Sequence, residues 1–60
     1  MNQKIMRGCK CLRGKKGVFV KDRHYLIHRL FQAPDGDFMV EVTDHAGLII
    51  NARANRFLLP

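Results

Sequence analysis

Apolar and polar side chains alternate most regularly over residues 38–43. Phe38, Val40 and Val42 share one face of this segment, and the residues between them share the other. Successive side chains of a β-strand point to opposite faces, so a period of two residues predicts a half-buried strand.

Residues 24–32 carry an ambiguous pattern, because their apolar positions fit both a strand face and a helical stripe. The turn chemistry of residues 33–37 decides between them. Proline fixes φ there, and the Asp-Gly pair supplies a positive φ. A turn that leads into a strand most often also follows one, so we predict a β-hairpin.

The rest of the chain divides into short segments separated by turns. Two short apolar runs and one mixed segment, in which Ile5, Cys9 and Cys11 share one parity, predict three further strands. A compact polar segment predicts one helical turn. The strands lie at residues 4–12, 48–50 and 57–59, and the helical turn lies at residues 51–56. Between the first two strands runs a long loop that opens with the basic, glycine-rich residues 13–17.

Five short strands with one helical turn before the last describe a mostly β fold, a small five-stranded SH3-like barrel. Residues 1–60 form a single domain in this interpretation, and near-closure of the barrel protects its edge strands. The predicted core consists of Ile5, Cys11, Val18, Val20, Ile27, Phe31, Phe38, Val40, Val42, Leu48, Ile50, Phe57 and Leu59.

Positive charge is concentrated in the first half of the chain. The net charge is +6, but residues 1–33 carry nine basic residues and one acid, whereas residues 34–60 carry a net −2. A basic half of this kind is typical of proteins that bind nucleic acid or another anionic surface. The same charge also occurs on small proteins that have no such partner.

We predict that the long loop contacts DNA or RNA. Flexible lysines and arginines give sequence-independent contacts to phosphates, and an aromatic ring can stack on bases. Tyr25 is the predicted stacking residue, because its hydroxyl favours partial exposure. The predicted phosphate contacts are Lys10, Arg13, Lys15, Lys16, Lys21 and Arg23.

Two other binding roles stay open. The basic loop could meet an acidic protein partner, as in a module that modifies a host factor. The small core could instead favour a homo-oligomeric structural protein. Nothing in the sequence distinguishes DNA from RNA.

The spacing of cysteines and histidines approaches that of a zinc finger without matching it. Cys9 and Cys11 are separated by one residue rather than two to four, and His24 and His28 fall on a predicted strand rather than a helix. We therefore predict no metal site and no cofactor. Two reduced thiols indicate a cytoplasmic protein.

No pattern indicates catalysis or a membrane. The acidic residues Asp35, Asp37 and Asp44 fall in predicted turns, where Asp usually bonds its own backbone. No nucleophile motif or phosphate-binding P-loop is present. No apolar run is long enough for a signal peptide or a membrane span. We expect a non-enzymatic protein.

Four stretches, taken in order, resemble a loose group of small phage and prophage proteins with SH3-like folds. That group has no settled activity, so the resemblance implies a fold and a mobile-element origin rather than a function. Asp22 stands where glycine is common in the group. The matching stretches are Cys11-Leu12, residues 21–27, residues 42–47 and Ala54-Asn55-Arg56-Phe57.

Overall fold

The computed structural model describes residues 2–59, with side chains from Arg7 onward. Five antiparallel strands form one sheet in the order β4-β3-β2-β1-β5. A 3-10 turn, Ala54–Arg56, precedes the last strand, so the mostly β fold and the helical turn before β5 are confirmed. The turn is shorter than the predicted residues 51–56, because residues 51–53 pair with β3 as part of β4. The strands are β1 (Asn2–Cys11), β2 (His24–Gln32), β3 (Phe38–Thr43), β4 (Ile49–Arg53) and β5 (Phe57–Leu58). Within residues 2–59 no helix has the length and apolar character needed to cross a membrane.

The predicted hairpin of β2 and β3 forms, and a β-bulge changes which face of β2 is buried. Ile27 lies opposite Val42, but the next paired residue, Arg29, lies opposite Glu41. One extra residue on β2 moves the inward face from odd to even positions, so that Leu30 packs against the core. Arg29 therefore faces outward, with its Nε 3.4 Å from a Glu41 carboxylate oxygen.

Among the side chains from Arg7 to Leu59, one cluster of buried residues forms the core. Three aromatic rings lie at its centre: Phe19 packs edge-to-face against Tyr25 and Phe57, with ring centroids 5.2 Å apart in each pair. Such edge-to-face pairs add stability beyond the area they bury. The buried residues are Cys9, Cys11, Phe19, Tyr25, Ile27, Val40, Val42, Ala54 and Phe57.

Five predicted core residues are confirmed as buried, and three others pack half-buried on the cluster. The buried ones are Cys11, Ile27, Val40, Val42 and Phe57, and the half-buried ones are Val18, Ile50 and Leu59. Ile5 falls outside the described side chains.

Four predicted core positions are wrong. Val20 is exposed because the preceding Phe19 takes the interior position of the loop, and Leu48 lies exposed in the turn before the edge strand β4. Phe31 follows the bulge on the outward face, where the Arg29 guanidinium lies 4.9 Å from its ring centroid. Phe38 opens β3 and is 55% exposed.

Candidate nucleic-acid interface

The segment between β1 and β2, residues 12–23, contains most of the predicted contacts and is called the basic loop below. Its tip folds as a small bridge in which Lys15 and Phe19 exchange two backbone hydrogen bonds, each 2.9 Å long. Gly17 makes the turn at φ +76°, which glycine adopts without steric cost. The tip is therefore folded, and its lysine side chains are exposed.

Phe19 anchors the middle of the basic loop in the protein interior. Its side chain is 4% exposed and belongs to the aromatic centre of the core. The next residue, Val20, donates its backbone N–H to the Tyr25 hydroxyl at 2.7 Å. These two contacts hold the loop against β2.

The 3-10 turn anchors the base of the basic loop. Arg56 donates from Nη1 to the backbone oxygens of Arg13 at 2.9 Å and Gly14 at 3.3 Å. Its own backbone oxygen accepts from Leu12 N–H at 2.7 Å. Beside it, Asn55 Oδ1 accepts from the Arg13 guanidinium at 2.8 Å. The turn thus connects to the loop through both backbone and side chains.

Sequence reasoning did not assign Arg56 and Asn55 to this site. They lie 43 and 42 residues from Arg13 in the chain, and only the folded structure brings them beside the basic loop. The one available signal was the Ala-Asn-Arg-Phe stretch before the last strand, which carried the family resemblance but no predicted role.

The other end of the basic loop closes through Asp22. This residue has φ +71°, a left-handed conformation that Asp tolerates better than most residues and glycine adopts freely. The Asp22 carboxylate lies 3.7 Å from Lys10 Nζ, so the loop's one acid partly neutralises Lys10.

Five of the predicted basic residues are exposed on this one loop. They are Arg13, Lys15, Lys16, Lys21 and Arg23. Among the described side chains, the three ion pairs join Lys10 to Asp22, Arg29 to Glu41 and Arg53 to Asp37, so none involves these five. Exposed positive charges on an ordered backbone attract a nucleic acid, because their binding releases the cations condensed on its phosphates.

The predicted exposure of Tyr25 is wrong. Its side chain is only 8% exposed, and its hydroxyl is occupied by the Val20 N–H and lies 3.4 Å from His45 Nδ1. A ring enclosed by Phe19 and Phe57 has no face to offer a nucleic-acid base. Tyr25 instead supports the basic loop through its hydrogen bond to Val20.

The two cysteines are buried structural residues. Burial raises the pKa of the Cys9 thiol, and the nearby Arg7 charge opposes this only in part. The Cys11 thiol donates to the Arg13 backbone oxygen at 3.1 Å. Within the described residues no three His, Cys, Asp or Glu side chains come together to hold a metal ion.

Two of the three acidic turn residues, Asp35 and Asp44, bond the backbone as predicted, whereas the Asp37 carboxylate pairs with Arg53 instead. Asp35 Oδ1 accepts from Asp37 N–H at 3.0 Å. Asp44 Oδ1 accepts from the N–H groups of Ala46 and Leu48 at 2.9 and 2.8 Å. These carboxylates fix turns.

Comparisons with protein-family models, with curated proteins and with solved structures found no match to this chain.

Proposed function

We propose that this protein is a small, cytoplasmic, non-enzymatic binding module that contacts nucleic acid through the basic loop. The observation that carries the proposal is the set of five exposed cations on that loop. None of them forms an ion pair with a described acidic side chain. Contacts of this kind go to the phosphate backbone and are independent of base sequence.

The order of the loop supports this function. Phe19, Arg56 and the Tyr25 hydroxyl fix its backbone at three points. A fixed backbone presents the lysines from one surface and loses less conformational freedom on binding than a disordered segment does. Only the side chains then need to be ordered against the phosphates.

An SH3-like barrel is the fold we propose for this sheet. The strand order, the long loop between β1 and β2, and the 3-10 turn before β5 all agree with it. The single core also draws residues from β1, β2, β3, β5 and the basic loop. A phage or prophage origin rests on the order of the sequence motifs alone.

A protein–protein module is the second candidate, and the edge strand β4 is the observation that favours it. Leu48 and Ile49 are 63% and 61% exposed where this edge begins. Exposed sheet edges pair with strands from another chain, either a different protein or a second copy. Sedimentation at high concentration tests the second copy, since a monomer would exclude it.

Fluorescence anisotropy of labelled DNA and RNA, each single- and double-stranded, tests the proposed function. We expect binding at low salt that weakens steeply towards physiological salt. Lys16→Ala should weaken binding, whereas Arg7→Ala, an equal loss of charge outside the loop, should have a much smaller effect. Absence of binding to all four ligands at low salt would reject the proposal and favour the protein–protein module.

A further inference from the structure

A groove of about 370 Å³ lies beside the 3-10 turn. Phe38, Phe57 and Leu59 give it apolar walls, and its polar lining consists of Asn55 and the ion-paired Asp37 and Arg53. Its volume falls within the range of about 300–1,000 Å³ that is usual for ligand pockets. A groove with both apolar walls and polar groups is suited to a flat ring that carries hydrogen-bonding edges.

Phe38 gives this groove an exposed aromatic face. All five aromatic residues of the chain fall within the described residues, and Phe38 alone among them is exposed, at 55%. Phe19, Tyr25 and Phe57 are buried in the core. Phe38 therefore offers the exposed aromatic ring that Tyr25 was expected to provide.

The groove and the basic loop meet at Asn55. Asn55 lines the groove, and its side-chain Oδ1 accepts a hydrogen bond from Arg13 in the loop at 2.8 Å. That bond occupies the amide oxygen and leaves the amide NH2 to donate. A base in the groove and a phosphate on the loop would thus lie on one continuous surface.

We infer that this groove takes an unpaired base of a single-stranded nucleic acid whose phosphates follow the basic loop. The inference rests on the proposed function and names its ligand class. Single-strand binding proteins combine an electropositive backbone track with aromatic rings on which bases stack. In a duplex the base faces are covered by their neighbours, so a duplex can use the loop but not Phe38.

A Phe38→Trp variant provides a direct reporter, because the chain contains no tryptophan. The substitution keeps an aromatic face, and its exposed position makes a change in folding small. We expect an unlabelled single-stranded oligonucleotide to quench the indole fluorescence to saturation. A duplex of the same length should bind at low salt with little quenching.

Phe38→Leu tests the energetic contribution of stacking, since it keeps apolar bulk and removes the ring. Loss of one stacked base should weaken single-strand binding about 5- to 150-fold, with the salt slope unchanged. Duplex affinity should stay the same. Ile49→Ala is the matched control, because Ile49 is also exposed and does not line the groove.

The outcomes separate this inference from the proposed function. Binding that depends on Lys16 but shows neither quenching nor an effect of Phe38→Leu would overturn the groove assignment and leave the loop as the binding surface. Quenching by an acidic peptide but not by oligonucleotides would also overturn it. If no nucleic acid binds at low salt, both the proposed function and this inference are rejected.

Discussion

Asp22 affects the basic loop in two ways, through its backbone and through its side chain. Its backbone occupies the left-handed region at φ +71°, which shapes the turn that leads into β2. Its carboxylate faces Lys10 at 3.7 Å and lowers the positive charge available to a ligand. The shape of the turn and the charge of the loop can be separated by substitution, because Asn tolerates the same backbone conformation.

Asp22→Asn should strengthen nucleic-acid binding. The variant removes the only acid among residues 10–23, so their net charge rises from +5 to +6, and Lys10 becomes available to a phosphate. We expect the slope of log affinity against log salt to become steeper by about one unit. Anisotropy titrations at several salt concentrations measure this slope.

Asp35→Asn is the control for Asp22→Asn. It changes the net charge equally but lies in the turn between β2 and β3, and an asparagine oxygen can still accept the Asp37 N–H. A similar gain in both variants would show that overall charge, rather than the basic loop, governs binding.

The buried thiol of Cys9 should make the stability of the protein depend on pH. Burial raises the pKa of its thiol above the ordinary value of 9.0, so the folded protein keeps this proton at a pH where the unfolded chain releases it. The unfolded state then binds fewer protons, and stability falls as pH rises above about 9. Urea unfolding between pH 7 and 10 should show a smaller decline for Cys9→Ala than for the wild type. Equal declines would contradict a buried Cys9 thiol.

At the scale of elements, the 3-10 turn connects the two parts of the proposed surface. Asn55 and Arg56 bond the base of the basic loop, while Ala54 and Asn55 line the groove. Gly14 allows the two arms of the loop to approach closely. A Cβ atom there would lie 3.1 Å from Lys21 N and 3.2 Å from Phe19 O. Any larger residue at this position would therefore require the two arms to move apart by a few tenths of an ångström.

Gly14→Ala should loosen the basic loop. Separating the two arms should cost about 1–2 kcal/mol of stability, as overpacked sites do. Amide hydrogen exchange over residues 12–23 should accelerate, and nucleic-acid binding should weaken. Gly8→Ala is the matched control, since its Cβ would meet only the His24 Cβ at an ordinary 3.9 Å. Equal effects of the two variants would show that close packing at Gly14 does not order the loop.

Local patterns predicted the elements well, because alternation and turn residues act over a few positions. The hairpin of β2 and β3 and the helical turn before β5 follow from such signals. The bulge after Ile27 did not, since it depends on pairing with β3. The exposures of Tyr25 and Phe38 were also predicted wrongly, because they depend on contacts between distant segments. The basic loop covers the Tyr25 ring, whereas the Phe38 ring lies at the edge of the core.

At the scale of the whole molecule, the basic and the more acidic halves of the chain contribute different parts of the proposed surface. The basic first half supplies the loop that we propose binds nucleic acid. The more acidic second half supplies turn-fixing carboxylates and the 3-10 turn that supports the loop. The sequence predicted the basic residues of the candidate surface, but the role of Arg56 in holding the loop became visible only in the folded structure.

The central claim is that exposed cations of the basic loop contact nucleic-acid phosphates, and the salt dependence of binding tests it most directly. Affinity should be measured by anisotropy at a series of salt concentrations for the wild type and for the double variant Lys15→Ala, Lys16→Ala. We predict a steep slope of log affinity against log salt for the wild type, reduced by about two units in the double variant. Equal slopes in the two proteins, or no binding at low salt, would contradict the claim.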